Sequence, residues 1–231
     1  MGTLTGLSRE LPYFLGKGDQ EKANAYSQSA LGFTILNITL VVLGSIIFLL
    51  VYPIFFEKTF LMTLTIIALS IKLAIFFYNR YLAVTYRSNR SFIDLSKVYV
   101  KQSVLVIISI IIIFFWGYKG FLFRVFLLDI VLTLLMHNSR PIKGQRVKIS
   151  FSALWDLMKT GIPLFSFSYI ESIVESFKRI ILLKVGGVLA VGLFSPALAL
   201  ISIMRMLPGV IGQYLFPQIN YELGKSSDYN K

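Results

Sequence analysis

Six apolar runs, at residues 30–56, 60–78, 102–116, 121–137, 154–177 and 188–216, dominate the chain. A helix needs about 20 mostly apolar residues to cross a bilayer. Inside lipid, only helices and closed barrels satisfy every backbone polar group. The runs lack the alternating period of barrel strands. They predict an all-α, polytopic transmembrane bundle of about six spanning helices, with the third and fourth short unless polar flanks lie at the interface.

Composition agrees: 56% of residues are hydrophobic and only 15% charged, against roughly 25% charged in an average soluble domain. Phenylalanine (20) and tyrosine (12) are abundant, as suits lipid contact and the headgroup boundary. The net charge of +12 does not point to nucleic acid, because the basic residues lie in short clusters between apolar runs rather than on one surface. There is no cysteine, so no disulfide, thiolate metal site or cysteine nucleophile exists. The single histidine, His137, reads as a membrane-edge residue. No His, Cys or Ser paired with a base marks a catalytic site, and no metal or cofactor is expected. The "LGKS" at 223–226 fails as a phosphate-binding loop, since Ile219 stands where that motif needs glycine.

Lys and Arg alternate between heavily and lightly loaded connections. Residues 1–26 (Arg9, Lys17, Lys22), 79–101 (Arg80, Arg87, Arg90, Lys97, Lys101), 138–150 (Arg140, Lys143, Arg146, Lys148) and the tail (Lys225, Lys231) hold most of them. The turns at Glu57-Lys58 and "GYKG" 117–120 hold one each, and 178–187 holds Lys178, Arg179 and Lys184. Basic loops face the cytoplasm, which predicts a multi-pass membrane protein with both ends of this chain and its two long loops cytoplasmic.

Leu15, Gly16 and Lys17 recur as Leu223, Gly224 and Lys225, each set beside an apolar run. Internal repeats of several helices are how many transporters are built. The tail copy follows a long helix pair, whereas the head copy begins the chain, which predicts a fragment or truncated frame lacking an upstream pair.

"GTLTGLSRELPYFLGKGDQEKA" at 2–23 resembles the cytoplasmic loop after the second helix of bacterial polysaccharide and O-antigen flippases, members of the multidrug/oligosaccharidyl-lipid/polysaccharide exporter superfamily. "LMKTGIPLFSFSYIESIVESFKRIILLKVGGVLAVGLFSPALALISIMRMLPGVIGQYLFPQINYELGK" at 157–225 resembles the family's seventh and eighth helices. Across 57–150 the likeness is compositional, and Lys178-Arg179 departs from the acidic residue that relatives often carry before the arginine. The resemblance implies helices three to eight of a two-lobed, inverted-V exporter, with 1–150 ending the first lobe and 151–231 opening the second. It implies undecaprenyl-diphosphate-linked oligosaccharide as cargo and membrane lipids, glycan polymerase or glycosyltransferases as partners. A drug/cation antiporter of the same fold, or a non-transporting remnant or scaffold, is the alternative.

Charges within a span cost at least about 2.5–3.5 kcal/mol each near its centre. Arg205 lies near the middle of the last run, with Ser195, Ser202, Gly209 and Gly212 close to its face; it reads equally as a substrate-cavity residue or half of an ion pair. Ser168, Glu171, Glu175 and Lys178 form one stripe on the fifth run, placing Glu171 within reach of Arg205 and Glu175 beside Lys178 or Arg179 on its own helix. Glu171, Glu175 and the central Asp129 are the candidate ion-coupling carboxylates. Lys72, Arg205 and Asn37 are the candidate substrate ligands, Asn37 standing in a polar stripe with Thr34 and Ser45. Arg124 is expected to snorkel. Gly161, Pro163 and Pro208 are candidate hinges. In the first connection, Arg9, Glu10, Gly16, Lys17, Gly18 and Asp19 form either a state-dependent salt-bridge loop or a helix stop followed by an Asp19 cap.

Overall fold

The computed structural model describes residues 2–55, 60–142, 144–145 and 147–229. The turn at Glu57-Lys58, together with Lys143, Arg146 and Lys231, lies outside them. The described residues fold into six helices with no strand: α1 Gly2–Gly16, α2 Gln20–Phe55, α3 Phe60–Ser88, α4 Phe92–Ile108, α5 Ile110–Asn138 and α6 Phe151–Tyr229. The bundle is all-helical, and α2, α3, α5 and α6 are long and apolar enough to cross a membrane. α2, with 36 residues, runs about 54 Å at 1.5 Å per residue, so its polar first turns extend past a bilayer core of about 30 Å.

Two glycines relate these helices to the six apolar runs. α5 turns at Gly117 (φ 53, ψ −130) and α6 at Gly187 (φ 68, ψ −173), backbone regions that residues with a Cβ avoid. The third run thus occupies the end of α4 and the start of α5, and the fourth the remainder of α5. The fifth and sixth are the two arms of α6. The turn within 117–120 falls where the sequence placed it. The connection 178–187 does not exist as a loop: Lys178, Arg179 and Lys184 continue the helix, because Lys and Arg are good helix formers and a continued helix leaves no backbone group unpaired.

The first connection is corrected in the same way. Residues 2–16 are helix α1, and only Lys17, Gly18 and Asp19 separate it from α2. Gly18 is left-handed (φ 79). The Gly18 N–H reaches the Leu15 carbonyl at 3.3 Å and the Asp19 N–H the Phe14 carbonyl at 3.0 Å, the paired bonds of a Schellman stop. Asp19 Oδ1 then accepts the Lys22 N–H at 3.0 Å, capping α2. The helix stop and cap are therefore what Gly18 and Asp19 do. Nothing lies within 4 Å of a Cβ built at Gly18, so Gly18→Ala is expected to cost about 1 kcal/mol, purely conformational, read as a lower unfolding midpoint in detergent.

The chain separates into two compact units, Asn24–Phe151, and Met1–Ala23 with Ser152–Lys231. These units divide the chain differently from the expected 1–150 and 151–231, since the first 23 residues cluster with the C-terminal hairpin. In the 24–151 unit, the core gathers around Tyr86, Leu82 and Met136, all 2% exposed or less, with the Tyr86 hydroxyl donating to the Met136 carbonyl at 2.8 Å. Elsewhere along these helices, side chains such as Phe114 (84%) and Ile47 (61%) are exposed, an arrangement that lipid satisfies and water does not. In the other unit, Leu4, Leu7 and Leu11 of α1 are buried with Ala153 and Leu157 of α6.

Candidate functional site

The hairpin of α6 brings its charges together. Arg205 on the second arm donates to Glu175 on the first and lies 3.8 Å from Glu171 Oε1. The expected Glu171–Arg205 proximity is present. Glu175, however, pairs across the hairpin rather than with Lys178 or Arg179. Folding at Gly187 sets residues 175 and 205 opposite each other, and a guanidinium on the facing arm reaches the carboxylate directly. A cleft of about 400 Å³ is lined by Glu175, Lys178, Arg179, Ser202, Arg205 and neighbouring apolar side chains. Ser195 and Ser202 donate to the carbonyls of Val191 (2.7 Å) and Leu198 (2.8 Å) on their own arm, so their hydroxyl protons are already in use.

A second polar ladder runs between α3 and α5. Lys72 lies exposed on α3. Asp129 Oδ2 is buried and has no hydrogen-bond partner among the described residues. Thr133 Oγ1 lies 2.9 Å from Asn79 Oδ1 and 2.7 Å from the Asp129 carbonyl. Further along, the Tyr78 hydroxyl is 2.8 Å from His137 Nδ1, which Arg140 approaches at 3.3 Å. The two helices run in the same direction, so ascending residues meet ascending residues.

Other expectations change. Asn37, Thr34 and Ser45 each donate to a carbonyl one turn back, at 2.7, 2.8 and 2.6 Å. The Thr34 and Ser45 hydroxyl protons are thus used within their own helix, whereas Asn37 keeps its second amide N–H and its Oδ1. Arg124 does not snorkel: Nε donates to Ser109 Oγ at 2.9 Å and a terminal nitrogen to the Val106 carbonyl at 3.2 Å. The break between α4 and α5 at Ser109 frees acceptors that a guanidinium can bridge. Gly161, Pro163 and Pro208 lie in helical backbone, and the one non-helical residue inside α6 is Gly187. Gly161 instead presses on α1, where a Cβ would meet the Gly2 carbonyl oxygen and come within 2.5 Å of the Gly6 nitrogen. Arg9 and Glu10 lie on α1, and Glu10 Oε1 accepts from the Thr160 hydroxyl at 3.2 Å.

One polar knot escaped the sequence reading. The Tyr81 hydroxyl donates to Gln145, whose amide donates to Ser27 Oγ at 2.7 Å, and Ser27 Oγ is 3.2 Å from the Tyr81 oxygen. It pins the segment after α5 against α2, helped by the Ser150 N–H to Ser29 Oγ bond at 3.1 Å. No local pattern marks it, because its members are far apart in sequence. Tyr81→Phe removes the hydroxyl's bonds to Gln145 and Ser27 and is expected to cost about 1 kcal/mol, read as a lower unfolding midpoint and faster proteolysis at residues 139–150.

No known protein family, curated protein or solved structure matches this chain.

Proposed function

We propose that the chain forms part of a membrane transporter of the polysaccharide-flippase type, moving undecaprenyl-diphosphate-linked oligosaccharide across the bacterial plasma membrane, with both chain ends cytoplasmic. The observation that carries the reading is the excess of positive charge in the α6 cleft. Lys178, Arg179 and Arg205 line it with Glu175, and Glu171 lies 3.8 Å from Arg205, so three cations face two carboxylates. A purely structural pair needs one cation per carboxylate, whereas the one cation in excess favours a phosphate through charge-assisted bonds. In this proposal Arg205 is the cargo ligand of the cleft and Lys72 serves the α3–α5 ladder. Glu171, Glu175 and Asp129 are the carboxylates linked to a driving proton or cation.

A cation or drug antiporter of the same fold is favoured by one observation, the buried and unpartnered Asp129 Oδ2. Deleting the reading frame in its host separates the two. The flippase reading expects loss of surface polysaccharide, build-up of its lipid-linked precursor, and recovery with the unaltered gene but not with Arg205→Ala. Unchanged polysaccharide with altered drug or cation tolerance would favour the antiporter. Full recovery by the Arg205→Ala, Lys72→Ala double variant would leave only a scaffold role.

A further inference from the structure

Residues 13–17 read Tyr-Phe-Leu-Gly-Lys and residues 221–225 read Tyr-Glu-Leu-Gly-Lys, and the fold sets one against the other. A Cβ at Gly16 would collide with the carbonyl oxygen of Tyr221; a Cβ at Gly224 would collide with that of Tyr13. Each glycine takes the same seat on the other copy's tyrosine. This is the reciprocity of a two-fold interface, here within one chain. Only glycine permits backbones to approach so closely.

α1 makes a second reciprocal contact at its other end. Gly6 faces the Leu157 carbonyl and Gly161 the Gly2 carbonyl. The two contacts lie on different arms of α6, so α1 bridges them, and they differ in strength. The first is surrounded by Leu4, Leu7, Leu11, Ala153 and Leu157, none more than 8% exposed, and by the Glu10–Thr160 bond. At the second, the buried residues of the second arm are Pro217, Asn220 and Gly224, none of them a large apolar side chain, and Leu223 beside them is 53% exposed. Apolar burial scales with area, so the first contact is the stronger.

We infer that the two Tyr-x-Leu-Gly-Lys segments form a releasable latch: α1 stays anchored on the first arm of α6 through Gly2 and Gly6, while its Gly16 end engages and leaves the second arm at Gly224. Engagement ties the two arms together at that end, and release lets them part. The latch has two positions rather than a continuum, because sliding by one residue drives a Cβ into backbone, and packed contacts of this kind are bistable. It stands independently of the proposed cargo.

Because the chain contains no cysteine, introduced pairs report without background. Gly2→Cys with Ile162→Cys reports the anchor, since a Cβ at Gly2 lies 3.5 Å from the Ile162 Cα. Lys17→Cys with Lys225→Cys, joined by a short bis-maleimide, reports the latch. In membranes the anchor pair is expected to link completely and the latch pair in part. Gly224→Leu, and equally Gly16→Leu on the other copy, should lower latch linking at least about tenfold, equivalent to about 1.4 kcal/mol, with anchor linking unchanged. Complete linking of the latch pair in the otherwise unaltered chain would overturn the inference. So would retention of latch linking in both leucine variants, or loss of anchor and latch linking together in both.

Discussion

Gly161→Leu is expected to detach α1 from α6 and to destabilise the protein by more than about 3 kcal/mol. The atoms that a side chain at Gly161 would meet are backbone: the Gly2 carbonyl oxygen, the Gly6 nitrogen at 2.5 Å and the Gly2 carbonyl carbon at 2.8 Å. None can rotate aside as a side chain would, so the two helices must separate. Separation exposes Leu4, Leu7, Leu11 and Leu157, which are otherwise at most 8% exposed. Gly161→Ala tests the mechanism by its sign. Were Gly161 a hinge in open space, alanine would stabilise the helix by about 1 kcal/mol through propensity alone. Against the α1 backbone it must destabilise instead. Thermal unfolding in detergent, with protease access to residues 2–16, reads both variants. A stabilised alanine variant would restore the hinge role and remove α1 from this face.

On the proposed flippase reading, Arg205→Ala is expected to abolish export while lowering the amount of inserted protein. It leaves Glu171 and Glu175 on the first arm without the guanidinium that faces them, and an uncompensated charge near a span's centre costs at least about 2.5–3.5 kcal/mol. Those two losses have separable causes. In the triple variant Arg205→Ala, Glu171→Gln, Glu175→Gln the stranded carboxylates are gone, so protein level should return to that of the unaltered chain. If Arg205 also holds cargo, export stays absent. If its whole role is to neutralise the two glutamates, export returns with the protein. Membrane protein level by immunoblot and surface polysaccharide together decide between them.

Much of this architecture was legible from residue type alone. Long apolar runs must be helices, because in lipid no other open structure satisfies the backbone. The turn at Gly117 and the stop at Lys17-Gly18-Asp19 were legible too, since they rest on glycine's access to positive φ and on aspartate as a cap, properties of a few adjacent residues. The approach of Glu171 to Arg205 followed from the antiparallel hairpin and helical rise.

What connects distant residues was decided by the tertiary structure. The sequence places Gly161 beside Pro163, which looks like a flexure; only packing shows a second backbone against it. It places Glu175 one turn from Lys178 and Arg179, yet the hairpin offers a nearer guanidinium on the facing arm. Asn79 and Thr133 sit on separate helices, and only their parallel alignment brings them within 2.9 Å. The recurrence of Leu-Gly-Lys was visible, but that the two copies seat on each other was not. Hydrophobicity is additive along the chain and survives without coordinates. A glycine's role depends on which backbone fills the space its missing side chain leaves, and that is set by residues far away in sequence.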